Sequence, residues 1–300
     1  MTAYSIQRAN VWKTWLLMML FIGLIIGLSF VFAQALRNPS ILYGGVIFAV
    51  SFNILTYWFS DRWVMALNGA REVGRGELPE VERLLENLAI TAGLPVTPKL
   101  YLIESEALNA FATGRDPKHA AVAVTSGIVA RLKPRELEGV LAHELSHVRH
   151  YDTRLMVVAG VLAGIVAILA QMFIRLSWWG GGRRDDREGG NGFIIIIAFV
   201  LALLAPLFAQ LLQLAISRKR EFMADSGAVI LTRNPDALAD ALERLAGDDK
   251  PLTSAAPATS HLFIVNPFKK SKGFVAWMGN LFATHPPIEE RVRALRGMGV

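Results

Sequence analysis

Four long runs without a charged side chain limit what this chain can become. Trp15 to Leu36, Ile41 to Phe59, Leu155 to Ile174 and Phe193 to Ile216 contain no Asp, Glu, Lys or Arg. A helix rises about 1.5 Å per residue, so runs of this length match the roughly 30 Å hydrocarbon layer of a bilayer. Within lipid every backbone N–H and C=O must be satisfied inside the segment, which makes each run a helix. The 53% hydrophobic content and mean hydropathy of +0.39 agree with that reading. Ala33-Gln34-Ala35 looks like a signal-peptidase site, but the run before it is too long for an ordinary leader and reads as an uncleaved anchor. The expectation is a mainly α membrane protein with four apolar transmembrane helices.

Charge placement orients these spans. Arg8 and Lys13 precede the first run, and Arg218, Lys219 and Arg220 follow the fourth. Under the positive-inside rule both ends face the cytosol. The chain then divides into a cytosolic tail (1–14), a first transmembrane hairpin (15–59), a water-facing part (60–154), a second hairpin (155–216) and a second water-facing part (217–300). An even number of crossings lets the two water-facing parts build one site. Arg183, Arg184 and Arg187 in the 180–192 linker run against the rule, so a shallow second hairpin fits as well. The +6 net charge is topological in this reading, and no nucleic-acid-binding motif accompanies it. Cysteine is absent, which excludes disulfides and thiolate ligands.

The water-facing parts read as α+β. Pro79 to Leu94 has an amphipathic helical pattern with Gly93 as its stop; residues 100–103, 109–114 and 120–125 read as strands of a small sheet. Asp61-Arg62-Trp63 reads as the end of the second apolar run. Ala237 to Leu245 and Ile288 to Leu295 are amphipathic helices, and 247–260 reads as loop.

His143-Glu144-Leu145-Ser146-His147 carries the chemistry. Residues four apart share one helical face, so both imidazoles can reach one metal ion, with Glu144 beside them to act on water. Pro134, Glu136 and Glu138 suit a helix start, and Val140, Leu141, Leu145 and Val148 supply its apolar stripe. A polar face on an ordinary surface helix is the bland alternative. The third ligand must be His, Asp or Glu. On a continued helix Asp152 would point away from the metal, and His150 would lie two turns beyond His143. The metzincin extension needs Gly at 150 and His at 153, where this chain has His150 and Thr153. Glu221 and Asp225 share a helical face and could serve as ligand and as acceptor from a ligand imidazole. By spacing alone, a capping or salt-bridged pair with Arg218 and Arg220 fits equally.

With HELSH, SRKREFMAD (217–225), NAFATG (109–114) and the late THPP (284–287) in view, the chain resembles the HtpX-type integral-membrane zinc metalloproteases. They sit in the wider gluzincin group that includes the CAAX prenyl endopeptidase. The resemblance covers nearly the whole chain. It implies a zincin-like α+β domain in which His143, His147 and Glu221 hold one Zn2+ per chain. It implies Glu144 as general base and Asp225 as the residue orienting a ligand histidine. It implies that Asn109, Ala110, Phe111 and Ala112 form an edge strand along the substrate cleft, and that His285 lies near the site. By likeness the work is quality control of misfolded membrane proteins at the cytosolic face of the inner membrane. Two rivals fit less well. An intramembrane protease would bury the motif in an apolar span, but Arg135, Glu136, Glu138, Arg149 and Asp152 flank it. A transporter with an incidental zinc site would carry ionisable groups within its spans, and the four runs carry none.

Overall fold

The computed structural model describes residues 3–35, 37–179, 218–268 and 286–298. Two long helices open it, α1 (Ala3–Ala35) and α2 (Ser40–Leu67), joined by a turn with Arg37 at positive φ. They form an antiparallel hairpin. Trp15 stacks on Tyr57 at 5.7 Å between ring centroids, and Phe21 meets Phe52 at the same separation. Of the polar residues of the second run, Asn53 and Thr56 are buried and Ser51 is exposed, while Tyr43, Ile47, Ile54 and Trp58 face outward. An apolar exterior around polar interior positions suits a lipid surround. Asp61-Arg62-Trp63 does not end α2, which runs on to Leu67. None of those residues breaks a helix, and the first that does is Gly69, at φ 66°.

The water-facing region follows: β1 (Ala70–Glu72), α3 (Pro79–Thr91), β2 (Lys99–Ile103), β3 (Ala110–Gly114), β4 (Ala120–Thr125), α4 (Ser126–Arg131) and α5 (Pro134–Arg149). The sheet has the order β1-β2-β4-β3; β2 and β4 run parallel and the other pairings are antiparallel. β3 is therefore an edge strand. β1 carries no sequence signal, being three partly exposed or exposed residues held by pairing with β2.

The sheet is buried on both faces, and the pleat sorts its side chains into two cores. Phe111, Ala121 and Ala123 join Phe21, Val64, Leu155 and Phe263 against the long helices. Ala110, Ala112, Val122 and Val124 join Leu85, Val140, Leu141 and Leu242 on the other side. The remaining helices are α6 (Asp152–Trp179), α7 (Arg218–Thr232), α8 (Pro235–Gly247) and α9 (Ile288–Arg296). Part of the expected 247–260 loop is a 3-10 turn at Pro257–Leu262.

Among the described residues three helices are long and apolar enough to cross a membrane: Ser5–Gln34, Ser40–Leu67 and Asp152–Leu169. The fourth expected span, Phe193 to Ile216, lies outside the described residues, as do the 180–192 linker and His285. The start of α1 and the start of α6 meet through Asn10, whose amide donates to Asp152 Oδ1 at 2.7 Å. Asn68, at the end of α2, accepts from Thr259 Oγ1 at 3.0 Å. Three membrane-length helices thus present one end each to the same water-facing body.

Candidate active site

α5 is an interior helix. Twelve of its 16 residues are buried, including His143, Glu144 and His147, which removes the surface-helix alternative. Pro134 opens it, and Glu136 Oε2 accepts the Lys133 N–H at 2.9 Å while pairing with Arg244 Nε at 3.1 Å. α7 lies against α5 at a close approach. A Cβ on Gly227 would stand 2.1 Å from Ser146 Oγ, so only glycine allows this spacing.

That packing brings three candidate ligands together. The Nε2 atoms of His143 and His147 are 3.2 Å apart. Glu221 Oε2 lies 3.7 Å from His143 Nε2, and Glu221 Oε1 lies 3.5 Å from His147 Nε2. Ligand atoms of all three residues fall within 4.8 Å of one another. Each histidine is held from behind. His143 Nδ1 donates to Asp225 Oδ1 at 2.9 Å, and His147 Nδ1 donates to Asp152 Oδ2 at 3.1 Å. Both Nε2 atoms then face one point, where a metal ion, or a proton shared between the two rings, would sit. Two Zn–N bonds of about 2.05 Å at a tetrahedral angle would set the nitrogens about 3.3 Å apart. The residues present fit a zinc ion.

Asp152 corrects the sequence reading. The expectation that it points off the metal helix assumed that α5 continues. It stops at Arg149, and Tyr151 adopts φ 60°, a left-handed kink that starts α6 at Asp152 and turns its carboxylate back onto His147. Arg291 was not anticipated at all. Fully buried on α9, it pairs with Asp225 through Nε at 2.9 Å and Nη2 at 2.7 Å, and its Nη1 lies 3.5 Å from Glu221 Oε2. Its place at i+3 from Ile288 in an amphipathic helix, where an apolar residue would serve, was the only available signal.

Glu144 reaches the other way, accepting the Ala112 N–H of β3 at 2.8 Å. The edge strand therefore runs beside the metal cluster. Part of that edge is taken by the chain itself. Ile264 N–H donates to Ala110 O at 3.0 Å, Asn109 Nδ2 donates to Val265 O at 3.0 Å, and Phe263 meets Phe111 edge-on at 4.8 Å. Asn109, Ala110, Phe111 and Ala112 are all buried.

Charges of both signs meet in the site. Glu144, Asp152, Glu221 and Asp225 face two guanidiniums, Arg220 on Asp152 at 2.8 Å and Arg291 on Asp225. Burial pushes the Glu144 carboxyl up to about 8, with the Glu221 charge adding to the effect and His147 opposing it. Burial pushes His143 down to about 4, reinforced by Arg291. Burial also disfavours the charged form of His147, but the Asp152 hydrogen bond and the Glu221 charge outweigh it and raise the imidazole to about 9.

A buried histidine pair on one helix, a carboxylate from a second helix and a further buried carboxylate next to the first histidine are the residue types of metal-assisted hydrolysis. Residues 77–299 match peptidase family M48. Along nearly the full length the chain is similar to proteins described as protease HtpX homologs. It is 43% identical to the one from Thermococcus kodakarensis, over 95% of this chain and 94% of that one. It is 41% identical to the one from Tropheryma whipplei, over 99% and 98%. The crystal structure of S. mikatae Ste24p aligns at 21% identity and a TM-score of 0.49, covering 97% of this chain and 67% of that one. The chain belongs to peptidase family M48, among its HtpX-type proteases.

Proposed function

We propose that the protein is a zinc-dependent endopeptidase of the membrane that cleaves misfolded or damaged membrane proteins on the cytosolic side of the inner membrane. The observation that carries it is the meeting of His143, His147 and Glu221 beside Glu144 and an edge strand. In this reading His143, His147 and Glu221 hold the ion, and Asp225 and Asp152 fix the two imidazoles in the tautomer that leaves Nε2 free. Zinc held there supplies Lewis acidity, lowering the pKa of water and polarising a carbonyl. Glu144 takes the water proton and hands it to the departing amine. A raised carboxyl suits that exchange, because it takes and gives a proton near neutral pH. A substrate backbone would add to the edge at Asn109 to Ala112, and residues 263–265 would have to yield that edge. The outward-facing apolar side chains of α1 and α2 support lipid as the surround.

Two measurements on the purified full-length protein test the reading: zinc content, and cleavage of an unfolded substrate such as casein with and without a chelator. Glu144→Gln should retain one zinc per chain and lose cleavage. Cleavage by that variant at the wild-type rate would sink the mechanism.

A further inference from the structure

A membrane-length helix reaches into the metal cluster through one side chain. Asn10, two turns from the start of α1, is 1% exposed, and each of its amide groups is engaged outside its own helix. Its Nδ2 donates to Asp152 Oδ1 at 2.7 Å and to His150 O at 2.9 Å. Its Oδ1 accepts from Arg220 Nη2 at 2.9 Å. The groups it holds are the ones beside the proposed ligands. Asp152 carries the hydrogen bond to His147 Nδ1, His150 closes α5, and Arg220 immediately precedes Glu221. Arg220 Nε also lies 2.8 Å from Asp152 Oδ1, so Asn10, Asp152 and Arg220 form a closed triangle. Gln7, one turn earlier on α1, adds a bond to Arg149 O at 2.8 Å.

The geometry points to Asn10 as a positioning residue for the metal site, setting His147 through Asp152 and Glu221 through Arg220. An asparagine suits the place. Its two N–H groups meet two acceptors, and its carbonyl meets a guanidinium, so nothing on it is left unsatisfied. A buried polar network specifies one arrangement only when every member is paired. The Asp152 carboxylate has two oxygens to place. With Asn10 and Arg220 both on Oδ1, Oδ2 is left for the imidazole. The same amide fixes where α6 leaves α5 and where α7 begins. The first membrane helix therefore takes part in the site through this residue, beyond anchoring the chain. This inference rests on the zinc-peptidase reading above, and its test separates the two.

The test uses the full-length protein in nanodiscs. Asn10→Leu removes all three bonds at similar volume. Asn10→Asp keeps the shape, keeps the Arg220 contact, and loses both donors. Asn53→Leu is the control, because Asn53 is a buried amide in α2 whose Nδ2 bonds only its own helix, at Ala49 O. Zinc affinity is read by chelator competition, and ligand geometry by the visible spectrum of the cobalt-loaded protein. Both Asn10 variants should bind zinc about 10–100-fold more weakly and shift the cobalt bands, as loss of a ligand's supporting partner does. At saturating zinc they should lower kcat with KM for a short peptide held within about twofold. Asn53→Leu should match wild type. If Asn10→Leu fails to fold, Asn10→Asp carries the same comparison. Wild-type affinity and spectrum in Asn10→Asp overturn the proposal, as does an equal loss in Asn53→Leu. A wild-type protein that holds no zinc equivalent sinks the peptidase reading itself and takes this inference with it.

Discussion

Arg291 and Asp152 show how much of the site is set by groups that would never touch the metal. Asp152 gives His147 a fixed tautomer, and Arg291 offsets the charge of Asp225 behind His143. Asp152→Asn should therefore weaken zinc retention by about 10–100-fold, in line with loss of a ligand's partner. Glu221→Gln should cost more, since it removes a charged ligand. Competition with a chelator measures both, and full retention in Asp152→Asn would mean that the His147 contact contributes nothing. A second expectation concerns protons. At pH 7 the metal-free site carries a proton on His147, raised to about 9, and mostly one on Glu144, raised to about 8. Zinc needs the His147 lone pair, so binding at pH 7 must expel at least that proton. Raising the pH removes the competitor, so apparent affinity should climb between pH 7 and 9 and level off above. Calorimetry in buffers of different ionisation enthalpy reads the release directly; a pH-independent affinity across that window would contradict it. The histidine pair was legible in the sequence because four-residue spacing on a helix is local geometry. Asp152 was misread because the kink at Tyr151 is a tertiary result, with no Gly or Pro to announce it. Arg291 was invisible because its partners lie far away along the chain.

At the scale of elements the site is a contact between two helices, and its width is set by what stands between them. Gly227 on α7 faces Ser146 on α5 with no room for a methyl. Gly227→Ala should lower stability by about 1–3 kcal/mol through overpacking, less about 1 kcal/mol returned by alanine's better helix propensity. Pairing it with Ser146→Ala removes the nearest atom and should restore part of the loss. Thermal melting of the two variants decides it, and equal melting temperatures would place the tight contact elsewhere. Periodicity found most elements: α3, β2, β3, β4, α5, α8 and α9 lie where the pattern of apolar residues put them. It failed where pattern and structure part. β1 is too short to have a period, and α2 passes through three polar or bulky residues that stop hydrophobicity without stopping a helix.

For the whole molecule the sheet is the divider, with apolar membrane-length helices packed on one face and α3, α5 and α8 on the other. The start of α1, the end of α2 and the start of α6 all meet the water-facing body. Reporters fused near Leu67 and after Val300 should therefore read the same side of the membrane, and one within 180–192 the opposite side. A loop reporter on the shared side would leave the third and fourth apolar runs as a hairpin that does not cross.

The tie from Asn10 to Asp152 has one more consequence, for distance. It pins the cluster to the first residues of a membrane-length helix, so under the proposed function the height of the cutting point above the lipid is built into the fold, like the fence on a saw. An extended chain advances about 3.3–3.6 Å per residue. A polypeptide still held in the bilayer would thus present peptide bonds within a few residues of where it emerges, and bonds farther out only by looping back.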